Sequence, residues 1–279
     1  MNILILGHKG MLGSDLMVKF GGHSVTGKDV DDFDITSAAD CRDLVDENRP
    51  EMVINAAAFT NVDGCETEED KAFAVNAEGV KNVALACKKN NVRIIHFSTD
   101  YVFDGTSETP YKEDHPCNPI NAYGRSKLQG ETYLRELSKN YTLVRTSWLC
   151  GRHGNNFIKA ILQRVKNFQP LEVVTDQTGS PTFTVDLAGA VRLLAEGGFT
   201  GTFHITNRGS CTWHAFARRI LDLSGYEDVD IKPITSEQLN RKALRPMYSV
   251  LSGENFVSAT GKTLRFWQIA LREYLELPT

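Results

Sequence analysis

A glycine-rich turn between an apolar strand and a helix, at the start of the chain, constrains the fold more than any other feature. Residues 2–6, NILIL, are an apolar run typical of a buried strand, and residues 11–20 have helical periodicity. Between them Gly7, Gly10 and Gly13 follow the spacing G-x-x-G-x-x-G. A strand, a glycine turn and a helix in this order predict the first unit of a parallel α/β sheet.

The same glycines predict a binding site for a dinucleotide. Gly7 allows the tight turn, Gly10 lets the backbone approach a pyrophosphate, and Gly13 permits close packing of the helix on the strand. The helix then directs its unsatisfied N–H groups and the positive end of its dipole at the phosphates. A glycine-rich turn without a ligand is the alternative, and the triplet alone does not separate the two.

Strand-like and helix-like segments continue to alternate as far as residue 147. Further strands are predicted at 24–27, 52–57, 92–97 and 142–147, with helices over 37–48, 66–90 and 121–139. Parallel strands joined by right-handed helical crossovers form a doubly wound sheet. The predicted fold class is therefore α/β and Rossmann-like.

The alternation weakens after residue 150, which suggests a second, smaller lobe. We predict a dinucleotide-binding domain over residues 1–150 and a lobe that is mainly substrate-binding over 151–279, with some of its elements returning to the first domain. Residues 103–121 hold three prolines and many acidic and small side chains, so they predict a long loop of the kind that usually has a function.

Composition excludes several classes of partner. The net charge is −4 and the pI is about 6.0, whereas nucleic acid or an anionic membrane would favour a basic surface. No segment approaches the roughly 18 consecutive apolar residues of a membrane span, and the N-terminus lacks the basic region of a signal peptide. The six cysteines include no C-x-x-C pair and are expected to be reduced. We therefore expect a cytoplasmic protein.

Polar residues past the second strand bear on the choice of dinucleotide. Asp29 can accept hydrogen bonds from ribose hydroxyls and disfavours a 2′-phosphate, whereas Lys28 can do the opposite. For both residues a solvated loop charge is the alternative. Asp34 and Ile35 follow a short turn and are placed to flank the adenine. The small residues 55–58 leave room for a cofactor at the strand ends, and they equally suit tight packing of a helix on the sheet.

The segment FSTDYVFDG, at 97–105, places unusual polarity at the end of a buried strand. Tyr123 and Lys127 lie four residues apart on a predicted helix, and thus on one face of it. A ketone reduced by hydride needs a proton at its oxygen, and an ammonium one turn away is expected to lower the pKa of the tyrosine that provides it. Thr99 adds a hydroxyl that can polarise the same carbonyl. Surface residues of a helix are the alternative for the Y-x-x-x-K pair.

Eight motifs spread over most of the chain resemble the dTDP-4-dehydrorhamnose reductase family of the extended short-chain dehydrogenases/reductases. They are GHKGMLGSDL, VINAAAFTNVDGCE, FSTDYVFDG, NAYGRSKLQGE, VRTSWLCGRHGNNFI, DQTGSPT, TWHAFA and RPMYSVL. The resemblance implies reduction of the C4 ketone of dTDP-4-dehydro-β-L-rhamnose with NADH or NADPH, by a monomer or homodimer. It also implies Mg²⁺ in some members, although no motif here marks a metal site.

The resemblance assigns roles to residues at matching positions. The catalytic residues would be Thr99, Tyr123 and Lys127. The cofactor would contact Gly7, Gly10, Met11, Leu12, Gly13, Asp29, Asp34, Ile35, Ala56, Ala57, Ala58, Thr60, Phe97, Tyr123 and Lys127. The nucleotide-sugar substrate would contact Thr99, Asp100, Tyr101 and Trp148. By its residue type, Arg245 can bind the diphosphate of the substrate through the planar fork of its guanidinium, and an exposed loop arginine is the alternative.

This chain departs from the family at three positions. Phe59 and Phe97 replace residues that are commonly histidine or tyrosine, and neither change affects a group that transfers protons. Val30 stands where an arginine is frequent, which favours NADH over NADPH.

Two other functions stay open at this point. A nucleotide-sugar epimerase or dehydratase has the same fold, although dehydratases typically have T-D-E where this chain has Thr99, Asp100 and Tyr101. A relative of the family is a non-catalytic, NADP-binding regulatory subunit of methionine adenosyltransferase. The intact threonine, tyrosine and lysine weigh against that function without excluding it.

Overall fold

The computed structural model describes residues 1–276, and twelve strands occur among them. The strands are β1 (Asn2–Leu6), β2 (Ser24–Lys28), β3 (Met52–Asn55), β4 (Arg93–Thr99), β5 (Tyr141–Thr146), β6 (Leu149–Cys150), β7 (Leu171–Val174), β8 (Thr178–Gly179), β9 (Thr182–Phe183), β10 (Gly201–His204), β11 (Cys211–Thr212) and β12 (Ile231–Ile234). Six of them form a parallel sheet in the order β10-β5-β4-β3-β1-β2. The predicted α/β, Rossmann-like fold class is confirmed.

Helices cover both faces of this sheet. The helices are α1 (Met11–Lys19), α2 (Ala38–Asn48), α3 (Val62–Cys65), α4 (Glu69–Phe73), α5 (Gly79–Lys89), α6 (Ala122–Leu137), α7 (Phe157–Lys166), α8 (Thr184–Glu196), α9 (Trp213–Leu223), α10 (Ser236–Leu239), α11 (Glu254–Thr260) and α12 (Trp267–Glu276). Alternate side chains of β1 enter different cores: Ile3 and Ile5 pack on the side of α1 and α8, and Leu4 and Leu6 on the side of α2, α5 and α6. The sheet is thus buried on both faces, as its continuous apolar strands require.

The strand order places a ligand site at one edge of the sheet. The chain winds from β1 outward to β2 and then returns past β1 to β3, so the order of strands reverses between β1 and β3. Ligands of open α/β sheets bind beyond the carboxyl ends of the strands at such a switch point. The glycine turn after β1 and the small residues after β3 lie at this point.

The single helix predicted over residues 66–90 is wrong in detail. A short helix, α3, precedes it, and the main helix begins at Glu69 and contains a π-helical turn, Ala74–Glu78, between α4 and α5. The buried side chain of Asn76 in this turn bonds the backbone of Phe59 twice: its Oδ1 accepts from N–H at 2.8 Å, and its Nδ2 donates to C=O at 3.0 Å. Nδ2 also lies 3.1 Å from Ser126 Oγ. The extra residue of the turn directs an amide into the space between β3 and α6.

The predicted strand at 52–57 ends two residues early, at Asn55. The Asn55 side chain accepts a hydrogen bond from the N–H of Ala57 at 3.1 Å, a local bond that competes with continuation of the strand. Residues 56–58 therefore leave the sheet where they would otherwise block the switch point.

A separate apolar core lies in the second half of the chain, among α7, α9, α12, β7 and β12. By contrast β10 pairs with β5 in the central sheet, and α8 packs in the core that it shares with α1. The boundary near residue 150 stays a prediction, and residues 277–279 of that lobe lie outside the described residues. No helix within residues 1–276 is both long and apolar enough to cross a membrane.

Candidate active site

The glycine turn is closed on its protein side and open on its other side. Gly7 has φ +76°, and a Cβ there would lie 2.8 Å from the N atom of Ala57. A Cβ on Gly13 would lie only 2.0 Å from the carbonyl oxygen of Gly7, so the start of α1 packs directly on the turn. A Cβ on Gly10 would meet only that same oxygen, at 3.2 Å. Protein packing therefore requires glycine at 7 and 13, and the space beside Gly10 is available to a ligand.

Two cavities meet at the switch point. One, of about 570 Å³, lies beside Gly7 and the end of β2, and the other, of about 390 Å³, lies beside α6. Both are lined by Gly10 and by residues 56–58, so together they form one groove across the ends of β1 and β3. Every residue predicted to contact the cofactor lines one cavity or the other. A groove of this extent, with open space beside Gly10, suits a dinucleotide.

Asp29 lies in the first cavity and binds the glycine turn. Its Oδ2 accepts from the N–H of Lys9 at 2.8 Å, and its Oδ1 accepts from the N–H of Val30 at 2.8 Å. The Lys9 ammonium bonds Asp31, so Lys9 is a second cation near this edge, in addition to Lys28. The turn brings Lys9 there from a part of the chain about twenty residues away. Asp34 and Ile35 line the same cavity, and their place beside an adenine stays a prediction.

Thr99, Tyr123 and Lys127 all line the second cavity. Helix α6 begins immediately before Tyr123, where the side chain of its N-cap Asn121 accepts from the N–H of Gly124 at 2.7 Å. Lys127 is buried, and its ammonium donates to the carbonyl oxygen of Phe97 at 2.7 Å. Burial lowers the pKa of Lys127 to about 8, against the opposing attraction of Glu131.

The pKa of Tyr123 is shifted in the opposite direction from that expected. Desolvation of its hydroxyl raises the pKa, Asp100 raises it further, and the Thr99 hydroxyl acts to lower it. The ring of Tyr101 stands edge-on to that of Tyr123 at 6.0 Å. The sequence argument considered the ammonium of Lys127 and left out burial, which dominates here. Tyr123 is therefore a protonated acid throughout the neutral range.

Asp100 and Trp148 also line the second cavity, beside Thr99. Asp100 is 2% exposed, and burial raises its pKa to about 7. Trp148 has φ +47° and stacks on Trp213, with ring centroids 3.5 Å apart and planes 8° apart. A left-handed backbone in a bulky residue is costly and is found where surrounding contacts enforce it. The stacked pair therefore forms a rigid apolar wall of the cavity.

Arg245 lies in a neighbouring cavity of about 420 Å³, which shares Tyr101 and Trp213 with the second cavity. Its guanidinium forms a bidentate ion pair with Asp63, each nitrogen lying 2.8 Å from one carboxylate oxygen. Asp63 also accepts from Arg241 at 3.1 Å and from the N–H of Ala243 at 3.1 Å. The ion pair with Arg245 holds the pKa of Asp63 well below its usual range. Arg245 is thus placed beside the site with a carboxylate as its partner.

Three residues of the site were missed by the sequence argument: Asn76, Trp213 and Asp63. Each lies in a motif or helix that was noted, but its partner is distant in the chain, so spacing alone gave no signal. The one local sign was the polar Asn76 between the apolar residues Val75 and Ala77.

A metal site finds no support in residues 1–276. No group of three or more His, Cys, Asp or Glu side chains in this range is arranged to hold an ion. The Mg²⁺ that the resemblance implied therefore has no support among these residues.

This chain is similar to known proteins along nearly its whole length. Residues 1–278 match the family model of the RmlD substrate binding domain. The dTDP-4-keto-6-deoxy-D-glucose reductase of Streptomyces niveus is 39% identical, over 98% of this chain and 96% of its own. A solved dTDP-4-dehydrorhamnose reductase from Clostridium acetobutylicum is 42% identical, with a TM-score of 0.95 over 99% of each chain.

A second solved structure carries a dinucleotide. The dTDP-4-dehydrorhamnose reductase of Bacillus anthracis, in complex with NADP, is 36% identical, with a TM-score of 0.95 over 99% of each chain. Because the family model and these relatives cover nearly the whole sequence, this chain belongs to the RmlD family, that of the dTDP-4-dehydrorhamnose reductases.

Proposed function

We propose that this protein reduces the C4 ketone of dTDP-4-dehydro-β-L-rhamnose to dTDP-L-rhamnose with NADH or NADPH. One observation carries the proposal: Thr99, Tyr123 and Lys127 line a single cavity that continues to the glycine turn. Such a groove holds a dinucleotide and a carbonyl compound side by side. Family membership supports the same reaction.

The residues of the cavity divide the chemistry between them. The nicotinamide, when bound, supplies the hydride to the carbonyl carbon. Tyr123 donates its phenolic proton to the ketone oxygen, so that an alcohol forms and a phenolate is left. Lys127, one turn further along α6, stabilises that phenolate by its charge. Thr99 is placed to donate a hydrogen bond to the same ketone oxygen, where negative charge develops.

The substrate contacts belong to the proposal as well. Asp100 and Tyr101 face the sugar, and Trp148, stacked on Trp213, forms its apolar wall. Arg245 binds the diphosphate, which requires it to share or leave its pair with Asp63. We also propose that the protein is cytoplasmic and that it acts as a monomer or a homodimer.

For the cofactor we propose that NADH is used at least as well as NADPH. Asp29 lies in the cavity where the adenosine ribose would bind, and Val30 beside it is 82% exposed and carries no charge. A carboxylate there repels a 2′-phosphate. The Bacillus anthracis relative binds NADP, so the preference of this chain has to be measured.

A second candidate is a reductase of a related 4-keto sugar. The Streptomyces niveus relative acts on dTDP-4-keto-6-deoxy-D-glucose, a different sugar, at a similar degree of identity. Epimerisation and the regulatory role stay as weaker candidates.

The experiment that tests the proposal is a substrate panel. Oxidation of NADH and of NADPH is followed with dTDP-4-dehydrorhamnose generated in situ, and with other nucleotide 4-keto sugars as controls. We expect the highest kcat/KM with the rhamnose precursor. A higher value for dTDP-4-keto-6-deoxy-D-glucose would favour the second candidate, and no oxidation with any sugar would reject a reductase.

A further inference from the structure

The hydroxyl of Thr99 forms most of its possible hydrogen bonds with other groups of the protein. Its oxygen accepts from the N–H of Tyr101 at 3.1 Å. It lies 3.0 Å from Oδ1 of Asp100, close enough for a second hydrogen bond. A hydroxyl has one hydrogen to donate. If Asp100 is a carboxylate, that hydrogen points at Oδ1 and none is left for a substrate.

Asp100 lies in surroundings that do not favour a carboxylate. It is 2% exposed and lines the cavity, and no described residue forms an ion pair with it. Its Oδ2 is buried with no hydrogen bond of good geometry. Desolvation raises the pKa of Asp100 to about 7, against the hydroxyls of Ser249 and Thr99, which act to lower it. A buried carboxyl group without a cation favours its neutral form.

The groups that face Asp100 are two phenols and more distant cations. Tyr101 and Tyr123 both have their pKa raised by desolvation and by Asp100 itself. Lys127 donates to a backbone carbonyl, and Arg245 is paired with Asp63. These cations are therefore already engaged.

We propose that Asp100 is a positioning residue: its protonated carboxyl group donates to Thr99 Oγ and thereby turns the single Thr99 hydrogen toward the ketone. The oxygen of Thr99 then accepts twice, from Asp100 and from the N–H of Tyr101, and donates once. When Asp100 loses its proton, Thr99 becomes the donor in the bond between the two residues. The developing oxyanion then loses the hydrogen bond from Thr99. The inference rests on the proposed function, because it needs a ketone in the cavity.

The sign of the pH dependence follows directly. The neutral form of Asp100 is the active one, so kcat falls as the pH rises through about 7. Tyr123 stays protonated above that range because its own pKa is raised. Lys127, with its pKa lowered to about 8, is the other group that can titrate there, and it has to be told apart.

The test is the pH profile of kcat for wild type and for Asp100→Asn, between pH 6 and 9, with saturating substrate. NADH deuterated at the transferred hydride checks that hydride transfer limits the rate. The amide of the variant donates to Thr99 at every pH. Between pH 6 and 7.5 we expect the wild-type kcat to fall at least threefold and that of Asp100→Asn to fall less than twofold. Above pH 8 both are expected to fall, because Lys127 then loses its proton. Asp31→Asn, which changes an exposed carboxylate outside the cavity lining, should behave as wild type.

Two results would overturn the inference. If kcat of Asp100→Asn falls as much as that of wild type between pH 6 and 7.5, the titrating group is Lys127 or another residue. If the wild-type kcat does not change over that range, the protonation state of Asp100 does not control the rate. If wild type reduces no sugar, the proposed function fails, and infrared spectroscopy then decides about Asp100 alone. A protonated-carboxyl band present at pH 6, lost by pH 9 and absent from Asp100→Asn supports it. Absence of that band at pH 6 contradicts it.

Discussion

At the residue scale, burial rather than pairing determines the charges of the proposed catalytic groups. Lys127 and Asp100 are both shifted toward their neutral forms, and Tyr123 is held in its protonated form. A cavity poor in mobile water favours neutral proton donors over ions. Neutral donors suit a reaction in which the ketone oxygen has to receive a proton from the protein.

Replacing Tyr123 by Phe should abolish reduction while dinucleotide binding is kept. The change removes the one phenol placed to protonate the ketone, and the loss of general-acid catalysis usually costs about 10²–10⁴-fold. Steady-state kcat and calorimetric Kd for NADH measure the two effects. Tyr133→Phe is the matched control, since that hydroxyl lies on the same helix and bonds Glu78 instead. Turnover above about a third of wild type would remove Tyr123 from the mechanism.

Replacing Asp29 by Ala should raise kcat/KM for NADPH relative to NADH. Two charges about 4 Å apart interact by roughly 4 kcal/mol at an effective dielectric of about 20, before screening. Because Asp29 also accepts from the N–H of Lys9, some loss of affinity for both cofactors is expected. Asp31→Ala serves as the control for an acidic residue outside the cavity lining. If wild type already prefers NADPH and Lys28→Ala or Lys9→Ala removes that preference, Asp29 is not the selecting residue.

At the scale of elements, the glycine turn and α1 act as one unit. Gly13 lets the helix rest on the turn, and Gly10 leaves the space beside it open. Substitution at these two positions should therefore have different consequences, although the sequence motif treats the glycines alike.

Gly10→Ala should weaken binding of NADH and NADPH by about tenfold or more and leave the fold intact. Its added methyl group stands 3.2 Å from one backbone oxygen and otherwise enters the ligand space. Gly22→Ala, where a Cβ meets nothing within 4 Å, controls for the general effect of the change. Calorimetry and the thermal midpoint measure the two properties. Unchanged affinity for both dinucleotides would mean that the turn does not hold the phosphates.

Asp63, in α3, forms hydrogen bonds with residues 241, 243 and 245 and so holds that segment against α3. Asp63→Ala removes four hydrogen bonds and leaves Arg245, which is 13% exposed, without its ionic partner. We expect a loss of about 1–3 kcal/mol in the free energy of unfolding, since charged hydrogen bonds are lost from a half-buried site. We also expect a higher KM for the sugar nucleotide and an unchanged Kd for NADH.

Urea unfolding and steady-state kinetics measure these effects. Asp31→Ala, which breaks the exposed pair with Lys9, is the control and should be nearly neutral. A lower KM in Asp63→Ala would instead show that Asp63 competes with the substrate diphosphate for Arg245.

The same elements show how far the sequence could predict the site. Residues within one motif, such as Tyr123 and Lys127, share a helix face, so their spacing alone brought them together. The pair of Asp63 with Arg245 and the stack of Trp148 on Trp213 join residues far apart in the chain. No local pattern specifies such contacts. The π-helical turn at Asn76 was missed for another reason: it shifts the apolar pattern by a single position, and the segments on either side are still read as one helix.

At the scale of the whole molecule, the sheet gathers most of the proposed contacts at one edge. The turn after β1, the residues after β3 and the end of β4 all lie at the carboxyl ends of parallel strands. The second core, built around α7, α9 and α12, brings Trp213 against Trp148 from the other side. The groove thus lies between a cofactor-binding sheet and an apolar wall, which places a sugar nucleotide next to a dinucleotide.

The most direct measurement is the fate of a labelled hydride. NADH or NADPH deuterated at the transferred position is incubated with the enzyme and dTDP-4-dehydrorhamnose, and the product is examined by nuclear magnetic resonance. The account predicts dTDP-L-rhamnose with one deuterium at C4, formed in equal amount to the oxidised cofactor and lost in Tyr123→Phe. Deuterium at another carbon, or no transfer from a cofactor that calorimetry shows to be bound, would contradict it.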